Sequence, residues 1–468
     1  MAKNNEFRAS LLLISIFKKS MKKILVIGAG RSTSSLIQYL LFNAEKENWF
    51  VTITDQSKEL ALKAANNHDR AKALAFDVNN DEERVRLIDE SDLVISMLPA
   101  HMHISVAKDC IKYKKHMVTA SYVSKEMKAL ENDAKNAGII IMNEIGVDPG
   151  IDHLSAMRVI DEIRANGGRL EAFETFTGGL IAPESDNNPW NYKFTWNPRN
   201  VVLAGQGTVK FIQNGRYKYI PYHKLFRRTE IIEIEGYGKF EGYANRDSLQ
   251  YRDIYGLKDI PTMYRGTLRK PGFCRAWDVF VQLGATDDSY VMEGSEEMTN
   301  RDFINSFLAY NITDSVELKF KHYLNIRQDD VDLYEKFVWL GIFDNTKIGL
   351  KNATPAQMLQ HILEQKLSLS PNDKDMIVMW HRFLYEKDNK FHEIHSSMVV
   401  KGDDQVYTAM AKTVGLPVAI ATKMILNGTI TTPGVHIPIQ KEIYDPILEE
   451  LENYGVHFVE KEVEPRFY

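Results

Sequence analysis

From residue 21 onward, short apolar runs alternate with amphipathic stretches. The runs at 23–27, 50–54, 73–76, 93–97, 116–119 and 139–142 are almost continuously apolar, the pattern of strands covered on both faces. Between them, helical spacing predicts helices near 32–46, 57–67, 81–89, 102–113 and 124–137. Strand–helix alternation of this kind predicts a doubly wound parallel sheet. Past residue 150 the texture changes. Residues 169–180, 208–220 and 229–243 read as strands with glycine-containing turns, interrupted by an Asn/Pro/Trp-rich segment at 183–200. Residues 297–367 read as mainly helical. Two runs, 376–385 and 391–400, are joined by turn residues and read as a hairpin. A helix around 405–426 follows, and the chain ends in a helix–strand pair at 441–453 and 456–461.

These elements predict an α/β protein. Residues 21–147 form a Rossmann domain, a doubly wound parallel sheet, and 437–468 return to it. Residues 148–296 and 370–436 form a second α/β domain, and 297–369 a helical one. Residues 1–20 read as an accessory extension, because the first strand opens only after Met21 and the apolar segment 11–17 is followed by no small-residue cleavage site.

Composition acts mainly by exclusion. Lys+Arg number 58 against 63 Asp+Glu, a net charge of −5, so no nucleic-acid or membrane footprint is expected. The two cysteines, Cys110 and Cys274, show neither paired nor zinc-ligand spacing, which suits a reducing cytoplasm. No apolar run is read as long enough to cross a bilayer. His101 and His103 would need a third ligand that the spacing does not supply, so no metal is expected.

The first candidate chemistry is a dinucleotide site. Gly28-Ala29-Gly30-Arg31-Ser32-Thr33 follows the first strand and opens a helix. The first glycine permits a tight turn, the second lets a pyrophosphate approach the backbone, and the helix N-terminus offers free amides. Thr33 stands where the fingerprint has Gly or Ala. Asp55 ends the second strand, where a carboxylate accepts from ribose hydroxyls and repels a 2′-phosphate; NAD is therefore expected over NADP, with NADP possible because Lys58 softens the repulsion. Asp77 and Val78 close the third strand, and Asp77 serves either an adenine edge or as a helix N-cap.

Further motifs follow. Ala120-Ser121-Tyr122-Val123-Ser124 and Asn143-Glu144-Ile145-Gly146-Val147-Asp148-Pro149-Gly150-Ile151-Asp152-His153 each follow a strand. After them come Gly178-Gly179-Leu180, Asn191-Tyr192-Lys193-Phe194-Thr195-Trp196, Glu241-Gly242-Tyr243-Ala244-Asn245-Arg246-Asp247-Ser248 and Tyr264-Arg265-Gly266-Thr267-Leu268-Arg269. In this order, over about residues 22–462, the set resembles the saccharopine dehydrogenase family, in its L-glutamate-forming branch.

The resemblance implies a cytoplasmic homodimer of lysine metabolism that acts on a small-molecule substrate. The reaction takes saccharopine, NAD(P)+ and water to 2-aminoadipate 6-semialdehyde and glutamate, or the reverse. It implies substrate contacts at Ser121, Tyr122, Asp148, Arg246, Thr267, Leu268 and Arg269. Cofactor contacts are implied at Gly28, Ala29, Gly30, Arg31, Asp55, Asp77, Val78, Val147, Asp148 and Pro149. Thr177 replaces a cysteine that many members carry. A substrate with three carboxylates wants forked cationic donors, which Arg246 and Arg269 supply, with Lys193 as a third cation. Tyr122 and Asp148 are the candidate catalytic groups beside the reacting carbon, and Asp-Pro-Gly also favours a turn. His153 reads as a core histidine, and the aromatic cluster at Trp190, Tyr192, Phe194 and Trp196 as a lid or domain seam. The alternatives are a carboxynorspermidine synthase-like dehydrogenase and a non-catalytic dinucleotide sensor.

Overall fold

The computed structural model describes residues 20–467, so the expected extension at 1–20 lies, apart from Ser20, outside the described residues. The chain divides into two compact units. The first comprises residues up to Ile151 together with Val414–Pro438, and the second comprises Asp152–Thr413 with Ile439–Tyr468.

The first unit's strands begin with Lys22–Ile27 (β1), Trp49–Asp55 (β2), Ala71–Ala75 (β3), Leu93–Ser96 (β4), His116–Val118 (β5) and Ile140–Met142 (β6). In the second unit come Arg169–Ile181 (β7), Thr208–Gln213 (β8), Arg216–Pro221 (β9), Thr229–Ile234 (β10), Gly238–Ala244 (β11), Thr262–Arg269 (β12), Asp375–Lys387 (β13) and Lys390–Lys401 (β14). Gly434–His436 (β15) belongs to the first unit again, and Val459–Val463 (β16) to the second.

The first sheet is wholly parallel, ordered β15-β6-β5-β4-β1-β2-β3. The inner strands β1 and β4 are β-branched and leucine-rich, and residues Ile24–Ile27 and Leu93–Ile95 are at most 2% exposed. A strand buried on both faces has no use for polar alternation. The order reverses between β1 and β4, and in such sheets ligands sit beyond the carboxyl ends of the strands at the reversal.

The added seventh strand corrects one expectation. It is β15, upstream of residue 437, and not the C-terminal pair. Gly434 holds a positive φ of 132°, a Cβ there would lie 3.1 Å from the Glu131 carboxylate, and that carboxylate accepts from the Val435 amide at 2.6 Å. The C-terminal strand β16 instead pairs antiparallel with β14. A three-residue strand next to glycine carries too weak a periodic signal to have been read from sequence.

The second unit holds a mixed sheet along the path β10-β11-β12-β7-β13-β14-β16, with β8 joining β12 and β9. The hairpin β13–β14 pairs continuously from Met376↔Lys401 to Lys387↔Lys390. Trp190, Tyr192 and Phe194 are each 1% exposed in the core of this unit, where Trp190 stacks on Phe280 at 5.7 Å and donates its indole N–H to the Lys336 carbonyl. They are core side chains, not a lid. One helix, Ala409–Leu426, is long and apolar enough to cross a bilayer by composition, contrary to the sequence reading, yet 78% of it is buried. That is the profile of a core helix.

Candidate active site

The candidate residues fall in both units. In the first unit the glycine loop is built as the chemistry needs. Gly28 has φ +106°, and a Cβ there would lie 2.8 Å from the Met97 carbonyl oxygen, so only glycine fits the turn. Gly30 is exposed with open space where its side chain would be. The helix Ser34–Asn43 then starts with no side-chain cap and no acid in its first turn. Thr33, 3% exposed, spends its hydroxyl on the Gly30 carbonyl at 2.7 Å, which ties the loop down in place of the small residue of the fingerprint. An open approach at Gly30 and a positive helix end without a side-chain cap fit a dinucleotide diphosphate.

Asp55 is tied into this loop. One carboxylate oxygen accepts from the Ala29 amide and the other from the Ser57 amide, both at 2.9 Å. Arg31 and Lys58 are exposed. Asp77 is exposed and accepts from the backbone and side chain of Asn79, each at 3.0 Å, beside buried Val78. The cap of the next helix is Asn80, not Asp77, because Asn80 accepts from the Glu83 amide.

Beyond β5 and β6 two loops lock together. The Glu144 amide donates to the Ser121 carbonyl at 3.0 Å, and the Glu144 carboxylate accepts from the Val123 amide at 2.9 Å, fixing the backbone on both sides of Tyr122. Glu144 is 4% exposed with φ +53°. Sequence reading passed it over, although it lies inside a motif already singled out. The Val147-Asp148-Pro149 segment closes on itself, with the Gly146 amide donating to the Pro149 carbonyl and Ile151 to the Gly146 carbonyl, both at 2.9 Å. A Cβ on Gly150 would lie 2.0 Å from the Gly146 oxygen, so this loop demands its glycine. Val147 and Pro149 are buried and Asp148 is half-buried.

In the second unit, Thr267, Leu268 and Arg269 end β12, with Thr267 between Tyr243 on β11 and Thr177 on β7. Gly178 permits this approach, since a Cβ there would meet the Leu268 carbonyl oxygen at 2.6 Å. Arg269 is 5% exposed. Its guanidinium lies 5.3 Å from the ring centroids of Tyr192 and Phe273 and 5.9 Å from that of Tyr243. One nitrogen donates to the Leu268 carbonyl, while the buried Nε has no hydrogen-bond partner. Among the described residues no carboxylate pairs with it. Glu241, opposite Arg269 on β11, accepts from the Gly272 and Cys274 amides, and Asp247, next to Arg246, pairs with Lys210 at 2.8 Å.

The hydroxyl of Tyr192, whose ring faces Arg269, is likewise buried without a hydrogen-bond partner among the described residues, as are the hydroxyls of Thr177, opposite Thr267, and Thr195. Burial pushes the Tyr192 phenol up to about 12. Arg246 is exposed at φ +49°, and its carbonyl accepts from the Lys210 amide. Lys193 is not a third substrate cation; it is buried in an ion pair with Asp373 at 2.6 Å. His153 is a core histidine, wholly buried and bonded to the Tyr255 hydroxyl.

Two family models match nearly end to end. Residues 24–142 match the saccharopine dehydrogenase NADP binding domain, and 146–456 the saccharopine dehydrogenase C-terminal domain. The chain is 34% identical to saccharopine dehydrogenase [NADP(+), L-glutamate-forming] of Saccharomyces cerevisiae, covering 94% of this chain and 99% of that one. It is 35% identical to the mitochondrial alpha-aminoadipic semialdehyde synthase of Rattus norvegicus, covering 97% of this chain but 49% of that protein. The solved apo saccharopine dehydrogenase (L-Glu forming) of Saccharomyces cerevisiae superposes with a TM-score of 0.86 at 34% identity, over 95% of this chain and all of the other. The NADP in these names does not support the preference for NAD expected from Asp55. With both domains matched in order and the fold shared throughout, the chain is an enzyme of the saccharopine dehydrogenase family.

Proposed function

We propose that this protein oxidises saccharopine, with water, to 2-aminoadipate 6-semialdehyde and glutamate, or runs the reverse reaction, in lysine metabolism. Arg269 carries this reading. A buried guanidinium without an acid leaves its charge unpaired, and removing charge from water costs several kcal/mol, roughly, even after relaxation. Three aromatic faces return about 0.5–2 kcal/mol each. The balance is best met by a ligand carboxylate, which guanidinium binds in a fork. A polyamine substrate would be repelled by this cation, which disfavours the carboxynorspermidine-type alternative.

A nicotinamide dinucleotide held by the Gly28–Arg31 loop would supply the hydride acceptor for the carbon bearing the secondary amine. The chain's task is to hold that amine neutral and fixed while water adds to the resulting imine. Asp148 is assigned to the amine, holding it or taking its proton, and Tyr122 orients the water or the imine. Ser121, Arg246 and the Thr267–Arg269 segment hold the substrate's ends.

We further infer that NADP is accepted. Both Asp55 oxygens are occupied by loop amides, which weakens its repulsion of a 2′-phosphate, and Arg31 and Lys58 supply positive charge at the ends of β1 and β2. The enzyme is taken to act as a cytoplasmic homodimer. The test is the rate of dinucleotide reduction by purified protein with saccharopine, run separately with NAD and NADP. Activity with neither dinucleotide would sink the reading. A kcat/KM for NAD more than about tenfold above that for NADP, a difference near 1.4 kcal/mol, would restore Asp55 as a filter.

A further inference from the structure

His103 joins the carboxyl ends of two neighbouring strands. Ser96 is the last residue of β4, and Ser121 lies just past β5, the strand paired with it. The His103 ring, 3% exposed at the start of helix His103–Tyr113, spans the two. Its Nδ1 lies 2.8 Å from the Ser96 hydroxyl oxygen and its Nε2 2.7 Å from the Ser121 hydroxyl oxygen. Burial first, and then His101, push its pKa down to about 4, while the Leu98 carbonyl beside it pulls weakly the other way. The ring is therefore neutral near pH 7, with one donor nitrogen and one acceptor.

Ser96 decides which is which. Its side chain is wholly buried, and among the described residues His103 is its hydroxyl's one hydrogen-bond partner. A buried O–H without an acceptor costs about 1–3 kcal/mol, so Ser96 donates to Nδ1. The ring proton is then on Nε2 and is donated to the Ser121 oxygen. Ser121 keeps its own proton to give, and among the described residues His103 is the one partner of its hydroxyl.

Resting on the saccharopine reading above, we propose that His103 is a positioning residue. Fixed as the Nε2–H form by Ser96, it turns Ser121 into an oriented donor to an oxygen acceptor, a carboxylate, on the amino-acid substrate. The pair of histidines that looked in the sequence like an incomplete metal site contributes one ring to a serine relay.

Two measurements test this. Long-range 1H–15N correlation on histidine-labelled protein, with His103 assigned through the signal missing from His103→Phe, should show a protonated Nε2 and a bare Nδ1 at neutral pH. An Nδ1–H ring or an imidazolium would overturn the proposal, and this readout does not depend on any variant being active. In kinetics, His103→Phe should raise KM for saccharopine roughly tenfold, the loss of about one hydrogen bond. The kcat and the dinucleotide KM should hold. In a Ser121→Ala background the same change should add nothing further, because its effect passes through that hydroxyl. Additive losses would mean a merely structural histidine and would overturn the proposal. An unchanged saccharopine KM in Ser121→Ala would also overturn it, while saccharopine turnover by the wild type reports separately on the substrate itself.

Discussion

Strand β12 carries two arginines four positions apart, and they meet opposite surroundings. Arg265 is buried against an acid: its guanidinium donates to Asp152 at 3.1 Å and lies 4.6 Å from the Tyr251 ring centroid. Further along the same sheet, Arg382 on β13 is likewise buried, between Glu174 on β7 at 3.0 Å and Glu393 on β14 at 2.9 Å. Arg269 is just as buried and has aromatic rings but, among the described residues, no acid. Arginines paired in this way fasten the fold, whereas Arg269, without an acid among the described residues, is the one we propose for the substrate. A motif containing both, Arg265-Gly-Thr-Leu-Arg269, gives them equal standing on paper.

Removing one member of a fastening should cost most. Asp152→Asn leaves Arg265 buried without its counter-charge and should destabilise by about 3–5 kcal/mol, measured by urea denaturation. Little loss would mean that the Asp152 charge is not what holds Arg265 and would blur the contrast. Arg269→Met should behave in the reverse way. Losing a desolvated charge partner costs about 2–5 kcal/mol of binding, on the order of 30- to 3,000-fold in kcat/KM for saccharopine. Thermal stability should hold or rise, because a buried charge has been replaced by a flexible apolar chain. An Arg269→Met protein that unfolds while binding saccharopine normally would reverse the assignment.

Acid should tell the two ends apart as well. Glu393 is wholly buried, which alone would raise its pKa, but hydrogen bonds from His395, Arg382 and the Arg466 amide hold it down to about 2. Its folded value is depressed, so its stabilisation is complete above the ordinary carboxylate range near 4.5 and drains away as pH falls toward 2. The loss should be on the order of 2–3 kcal/mol, and Glu393→Gln should flatten that part of the stability–pH curve. Arg269 has no carboxylate to protonate, so Arg269→Met should keep the wild-type slope. Tyr192→Phe should have the smallest effect. Its hydroxyl has no hydrogen-bond partner among the described residues, so stability should change by less than about 0.5 kcal/mol. The KM for saccharopine should rise about three- to tenfold if the hydroxyl serves the ligand; an unchanged KM would assign Tyr192 to caging alone.

Much of the first unit was legible because its signals are local. Apolar runs such as Ile24–Ile27, the glycine turn after them and Asp55 at the end of β2 lie within a few residues of the geometry they dictate. The Asp148-Pro149-Gly150 turn was legible for the same reason. Illegible features depend on long loops closing. Lys193 reads as a free cation until Asp373, 180 positions away, is brought beside it. β15 is three residues long and exists because Glu131 receives Val435 across 304 positions.

By itself the sequence determined the kind of sheet, the place of the dinucleotide loop and the family, through periodicity, turn chemistry and motifs in order. Tertiary structure alone decided which charges are spent and which are available. Arg265 finds Asp152 across 113 positions, Arg382 finds Glu174 across 208, and Arg269, among the described residues, finds aromatic faces and a carbonyl but no acid. A residue's type states what it can bind, but the partner it meets depends on how distant segments pack. The cost of burying an unpaired charge then makes the exception stand out as a site.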